Sequence, residues 1–281
     1  MMGPRPLPPE ICVNGEQSGP PMVRRFLSRQ RNAASDHRYE YGADFQAMAA
    51  RGSAHAAHRI ASILLTILPI RAVVDLGCAG GMWLRQWQDL GVPEVLGVDG
   101  DYVDRGKLVI DPGCFAVRDL RERVRLERQF DLVQCLEVAE HLPPSRAASL
   151  VEDIVALAPV ALFSAAPPGQ GGEHHVNEQP GDYWRDLFRR HDYVALDCLR
   201  PLLTGDRAIP AWYRYNIILY VRVDWLDRIA PFAQKFQLRD LEPMPDPSPL
   251  SYKLRKSIVR WLPQSICDRL ARWNAHRLAN I

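Results

Sequence analysis

The chain has 281 residues, 47% of them hydrophobic and 24% charged. That composition excludes wholesale disorder and fibrous repeats, and the length suits one large domain with appendages. The formal net charge of +2 points by itself to neither a nucleic acid nor a membrane, but it is unevenly spread: residues 251–281 hold seven Lys/Arg against one Asp, or +6, which leaves −4 for the rest.

Residues 1–21 contain Pro4, Pro6, Pro8, Pro9, Pro20 and Pro21 and no apolar run, so they read as a flexible arm and not as a signal peptide. Ile60, Ile63, Leu64 and Ile67 then recur at helical spacing, and Pro69 closes that stripe, which predicts a helix over 53–68. A regular alternation follows. Apolar runs at Ala72–Leu76, Glu94–Val98, Cys114–Val117, Asp131–Cys135 and Val160–Ser164 predict strands, with helical patterns between them at Met82–Leu90 and Ser145–Leu157. Near-continuous apolar strands alternating with helices argue a parallel sheet covered on both faces. A helix at Asp182–Arg190 and strands at Tyr193–Cys198 and Asn216–Val223 complete the pattern.

Beyond Trp225, Pro243, Pro245, Pro247 and Pro249 alternate and predict an extended spacer. Leu254, Ile258 and Trp261, then Ile266, Leu270 and Trp273, return to helical spacing on either side of Pro263. Two readings of this basic tail stay open: it contacts an anionic membrane surface or RNA, or it packs on the domain with a solvated charged face. The longest apolar runs, Ile60–Ile70 and Ile154–Ala166, are shorter than the ~18–20 residues a membrane span needs. Cys12, Cys78, Cys114, Cys135, Cys198 and Cys267 form no C-x-x-C pair. They read as reduced thiols of a cytoplasmic protein, with peripheral attachment to a membrane as the alternative the tail leaves open.

The sharpest signal is Val73-Val-Asp-Leu-Gly-Cys-Ala-Gly-Gly81, a strand running straight into glycines. A dinucleotide fingerprint from Gly77 would need glycine where Ala79 and Met82 stand, and a P-loop would need Ser or Thr where Leu108 follows Gly106-Lys107. The segment instead resembles the D-x-G-x-G-x-G signature of class I S-adenosylmethionine-dependent methyltransferases, read as Asp75, Gly77, Ala79 and Gly81, with Ala79 in place of the usual second glycine. Asp99 ends the second strand, Asp119-Leu120 follow the third, and Phe130–Cys135 is similar to the fourth. The resemblance implies a Rossmann-like α/β fold, with a mostly parallel sheet of about seven strands, the last antiparallel, and helices on both faces. It implies an arm at 1–39, the methyltransferase domain at 40–225, and a Pro-rich spacer with a basic amphipathic extension at 226–281. It also implies S-adenosyl-L-methionine as cofactor, held by Asp75, Gly77, Cys78, Ala79, Gly81, Asp99 (ribose hydroxyls), Asp119 and Leu120 (adenine) and Glu137.

More narrowly, Leu136–Leu142, Leu162–Gln179 and Trp212-Tyr213 with Asn216 resemble a subgroup associated with glycan and small-molecule modification. Methyl transfer to a hydroxyl needs in-line alignment, exclusion of water and a base. His141, His174 and His175 lie in these motifs and are the candidate bases. The segment Glu173–Gln179 is expected to line the pocket over the methyl group. Asn177, Glu178, Gln179, Tyr183 and Trp184 offer polar and aromatic groups such as a sugar face needs, and the pair Tyr183–Trp184 is equally what an ordinary helix start buries. Glu137, Glu140 and His141 form E-x-x-E-H, which a helical turn would place on one face. With His174 or His175 they resemble the ligand set of metal-dependent O-methyltransferases, which implies Mg²⁺ or Mn²⁺. The expected activity is O-methylation of a sugar, glycan or small-metabolite hydroxyl. Its rivals are a metal-dependent RNA 2′-O-methyltransferase and a non-catalytic S-adenosylmethionine-binding scaffold.

Overall fold

A computed structural model describes residues 43–279 of the chain, with side chains from 52 to 277. The arm expected at 1–39, and with it Cys12 and His37, lies outside the described residues. All described residues belong to one compact unit, Tyr39–Ile281.

The helix foreseen before the sheet, α1, runs over Ala43–Ile67, and its stripe of Ile60, Ile63, Leu64 and Ile67 is buried. The sheet begins with β1 (Ala72–Leu76), α2 (Met82–Asp89), β2 (Glu94–Asp99) and β3 (Phe115–Val117). It continues through β4 (Leu132–Leu136), α3 (Ala147–Leu157), β5 (Val160–Ser164), α4 (Gly181–Arg189) and β6 (Tyr193–Leu196). Short helices α5 (Arg200–Leu203) and α6 (Ala211–Asn216) lead into β7 (Ile218–Arg222). The seven strands lie in the order β3-β2-β1-β4-β5-β7-β6. β1 to β5 pair in parallel, and β7 runs antiparallel to both β5 and β6.

The period-two alternation of the strands divides the core into two layers. Val73, Leu132, Leu162 and Leu219 join the helices α1 and α2 on one face. Val74, Val133, Phe163 and Tyr220 join α3 and α4 on the other. Each strand is thus buried on both sides, as a parallel sheet requires. In α2 Trp83, Leu84 and Trp87 turn inward, and in α4 Trp184, Leu187 and Phe188 do.

Past β7 come α7 (Pro231–Gln234), the Pro-rich stretch, α8 (Leu250–Val259) and α9 (Gln264–Ala279). The spacer has no regular structure over 243–249, as the prolines require, yet it is fastened down. Arg185 of α4 donates to the carbonyls of Arg239 and Glu242, and Asp182 accepts from the Met244 N–H at 2.8 Å. The two tail helices carry their expected apolar stripes outward, not inward. Leu254 and Trp261 are 62% and 83% exposed. The packed-helix reading with a solvated charged face is therefore reversed in its polarity. No described helix is long and apolar enough to cross a membrane.

Candidate active site

In a parallel sheet the ends of all strands that face the same way form one edge, and ligands sit where the strand order reverses. Here that switch point falls between β1 and β4. The Gly77 turn leaves β1 on one side of it, and Glu137 leaves β4 on the other.

The β1 turn is held open by close approaches. A side chain on Gly77, at φ 87°, would meet Val138 Cγ2 at 2.3 Å, and one on Gly81, at φ 84°, would meet Ile110 Cγ1 at 2.9 Å. Ala79 also has positive φ, 47°, so the residue standing in for the family's glycine keeps a glycine conformation at some strain. Its N–H donates to Asp99 Oδ2 at 2.8 Å, which ties the turn to the end of β2. Asp99 Oδ1 accepts from the Gly100 N–H and from the Tyr102 hydroxyl. A carboxylate is an acceptor of the kind that the hydroxyls of a diol need. Cys78 is buried against Gly97 of β2, where any side chain would come within 2.6 Å of its sulfur.

Asp75 lies deeper. Burial, opposed by the nearby Gln134 carboxamide and reinforced by the Asp99 charge, raises its pKa to about 8. Gln134 is itself fixed by Trp87, whose indole N–H donates to its Oε1 at 2.8 Å. Asp75 therefore supports the turn from below as a largely neutral acid. Asp119 stands exposed at the end of β3, paired with Arg121 at 2.6 Å. Leu120 is buried, and Arg146 holds the loop by donating to the carbonyls of Leu120 and Glu122 while pairing with buried Asp153.

Across the switch point, the E-x-x-E-H segment is not one helical turn. Glu137 has φ 55°, and only Ala139–His141 wind into a short 3₁₀ turn. Glu137 is consequently turned away to meet residues from two other segments. Its Oε1 accepts from Asn216 Nδ2 at 3.1 Å and its Oε2 from Gln170 Nε2 at 2.8 Å, while Asn216 also donates to Gln170 Oε1 at 2.8 Å. Three polar side chains, from just past β4, from the loop after β5 and from the last residue of α6, thus close a ring at the sheet edge. Neither Gln170 nor Asn216 was assigned a role from sequence; both lay inside the quoted family segments, which was the signal available.

The histidines divide. His175 Nδ1 lies 2.9 Å from Glu178 Oε1. Glu178 also accepts the N–H groups of Gly169 and Gly171, each at 2.7 Å. With the carboxylate thus occupied as an acceptor, the ring nitrogen facing it is the donor, and Nε2 of His175 is left as the basic nitrogen. His141 packs edge-on against His175 with centroids 4.9 Å apart. Burial, and secondly the neighbouring imidazole, push the His141 pKa down to about 3, so its ring is neutral. His174, at φ 57°, has its backbone N–H bound to Asp268 of α9 at 2.9 Å.

Glu140 is fully buried, and neither carboxylate oxygen makes a well-formed hydrogen bond. Burial, then the Glu137 charge, raises its pKa well above the carboxylate range. Glu140, His141 and His175 each offer an atom to a space in which those atoms lie within 4.8 Å of one another. Of the two histidines expected, the cluster takes His175 and not His174, and Glu137 stays outside it, engaged by Gln170 and Asn216. The segment Asn177–Gln179 is structural: Asn177 donates to the Ala139 carbonyl, Gln179 donates to Asn177, and Glu178 holds the glycine loop. Trp184 lies in the core against Phe163, with centroids 5.1 Å apart, so the buried helix-start reading holds for it. Among the remaining histidines, His55 pairs with Asp206 at 2.8 Å and His58 is exposed.

A doubly wound sheet with one antiparallel strand next to its last, a glycine turn tied to an acid at the end of β2, and a polar ring across the switch point belong to a class I S-adenosylmethionine-dependent methyltransferase. The family model of the methyltransferase domain matches residues 48–194, more than half of the chain, and the chain belongs to that family. Similar solved structures include magnesium protoporphyrin IX methyltransferase from Synechocystis PCC 6803 with bound S-adenosylhomocysteine, at 17% identity over 66% of this chain and 90% of that chain, TM-score 0.44. They also include DesVI of Streptomyces venezuelae, at 16% identity over 66% and 100%, TM-score 0.48. A third is the sugar N-methyltransferase KedS8 from Streptoalloteichus sp ATCC 53650, at 14% identity over 68% and 98%, TM-score 0.48. At these identities the likeness is one of architecture. No curated protein sequence matches the chain.

Proposed function

We propose that this methyltransferase transfers the methyl group of S-adenosyl-L-methionine to a hydroxyl of a sugar, a glycan or a small hydroxylated metabolite. The observation that carries this reading is the ring of Glu137, Gln170 and Asn216 beside the Gly77 turn. One carboxylate and two carboxamides supply both donors and acceptors, the mixture that neighbouring hydroxyls on a small polar acceptor need. The sulfonium supplies an electrophilic methyl; the protein must align the acceptor oxygen behind it, keep water out and take the proton. His175, with Nδ1 held by Glu178, presents Nε2 for that proton, and Glu178 stabilises the charge the ring then acquires.

A second reading is favoured by the orphaned Glu140 oxygens. A divalent cation held by Glu140, His141 and His175 would ionise Glu140 and replace its missing partners. One carboxylate and two imidazoles suit Mn²⁺ or Fe²⁺ better than an all-oxygen Mg²⁺ site.

Tritiated-methyl transfer over nucleotide sugars, glycans, phenols and RNA, each with and without EDTA, tests both. Transfer to a sugar or small-molecule hydroxyl that persists in EDTA is the expected result. Loss in EDTA with recovery in Mn²⁺ selects the second reading, labelling of RNA alone replaces the acceptor, and cofactor binding without transfer to any acceptor makes the chain a scaffold.

A further inference from the structure

The tail helices are amphipathic in the opposite sense to a helix that packs on a soluble core. The inward face of α8 is Tyr252, Lys256 and Val259, and that of α9 is Gln264, Cys267, Asp268, Ala271 and Ala275, none of them exposed. Their outward faces hold the bulk of the apolar surface. Leu250, Leu254, Ile258 and Trp261 are 82%, 62%, 58% and 83% exposed, at spacings that line one side of α8 and its end. On α9 Ile266, Leu270 and Trp273 repeat the pattern. Large apolar side chains aligned in stripes at a surface mark an interaction site.

The charges say what covers them. Lys253, Arg260, Arg269, Arg272 and Arg277 lie among or beside the stripes and are exposed. The single acid of the two helices, Asp268, is turned inward, where it accepts from the His174 N–H and from Gln264. The outward surface is therefore apolar and cationic, with tryptophans at its edge. A second copy of the chain would set one such cationic face against another, whereas acyl chains beneath an anionic headgroup layer match both components.

We propose that α8 and α9 dock this protein onto an anionic membrane surface, with Leu254, Ile258, Trp261, Leu270 and Trp273 inserted among the lipids and the Lys/Arg side chains at the headgroups. The docked elements are fastened to the acceptor end of the site. The Lys256 carbonyl lies so close over Gly169 that a side chain there would come within 2.1 Å of it, and Arg255 donates to the Gln170 carbonyl at 2.9 Å. Arg272 approaches Glu173 at 3.8 Å. Docking would therefore hold the loop that carries Gln170 and His175 at the lipid surface, whatever hydroxyl is methylated.

The test is flotation of the full chain with vesicles of phosphatidylcholine alone or with phosphatidylglycerol, at low and high salt, with tryptophan emission as a second readout. The full chain should float with the anionic vesicles, shift its emission to the blue, and release in part at high salt. The double variant Trp261→Ser/Trp273→Ser should bind about tenfold more weakly or worse, while its affinity for S-adenosylhomocysteine, measured by calorimetry, is unchanged and certifies its fold. The proposal is overturned if the full chain stays unbound to anionic vesicles, or if the double variant floats as well as the native chain. Binding seen only after deletion of residues 1–42 would assign the stripes to that segment and overturn it too. So would salt-sensitive retention of RNA without vesicle binding, or a dimer that the double variant dissolves.

Discussion

The two ends of the proposed site, donor and acceptor, share one sheet edge but are assembled by different means. At the donor end each element is local: Gly77–Gly81, Asp99 and Asp119 leave three adjacent strands, and the bond that joins the first two spans 20 residues of sequence. Much of the work there is done by backbone, through glycine turns and N–H groups. At the acceptor end the ring is closed by side chains 79 residues apart, Glu137 and Asn216. The loop that completes it is pinned by residues 85 and 94 positions away, through Arg255 and Asp268. The cofactor is common to the class, so its site is built into the strand–turn grammar of the fold. The acceptor differs from member to member, and its site is built from pieces that can change independently.

If that division is right, variants at the two ends should fail in different parameters. The largest effect belongs to the acceptor end. His175→Ala should lower kcat by about 10²–10⁴, the scale of a general base, with the Kd for S-adenosylmethionine nearly unchanged; full turnover by this variant would remove His175 from the chemistry. At the donor end, Asp99→Ala removes charge-assisted hydrogen bonds worth about 1.5–3 kcal/mol. Calorimetry should show the cofactor bound some ten- to hundredfold more weakly, and an unchanged Kd in a folded variant would take Asp99 out of the site.

The third effect is on stability. Because Asp75 is raised to about 8 in the folded chain from an ordinary 3.8, the folded state binds its proton where the unfolded state has lost it. The stability is full below about pH 4 and falls as pH rises toward about 8, by at most about 1.4 kcal/mol per pH unit. Thermal unfolding between pH 6 and pH 8 should therefore fall less steeply in Asp75→Asn than in the native chain; parallel slopes would show that Asp75 does not titrate abnormally. The smallest effect sharpens the donor turn itself. Ala79→Gly relieves a left-handed alanine and should stabilise by about 1 kcal/mol or less, seen as a small rise in Tm with cofactor affinity retained.

The tail shows how far a pattern can mislead about direction. Leu254, Ile258 and Trp261 announced a helix correctly, since periodicity reflects the backbone's own repeat. Periodicity says only that one face is apolar, not which way that face points. The inward face carries bonding groups, with Lys256 donating to Asp246 and Asp268 accepting from the His174 N–H.

The same limit runs through the site. The parallel sheet and the Gly77 turn were legible because each depends on neighbours in sequence: β1 occupies Ala72–Leu76 and β5 Val160–Ser164, as the apolar runs require, whereas Asn216, expected in the last strand, ends α6. Gly77 and Gly81 are obligatory, since Val138 and Ile110 leave no room for a side chain. The E-x-x-E-H segment could not be read this way. A helical turn would have gathered Glu137, Glu140 and His141 on one face, but the positive φ at Glu137 sends its carboxylate to Asn216 and Gln170 and leaves Glu140 buried beside His141 and His175. Nor does sequence distinguish His174 from His175; the Glu178 carboxylate, anchored by two glycine N–H groups, does. What the sequence by itself determined was everything set by local repeat and backbone freedom: the strands of the sheet and the Gly77 turn. What only the tertiary structure decided was which distant side chains meet, because such meetings are fixed by the packing of α4, β7 and the tail around the loop after β5, and no spacing along the chain encodes that distance.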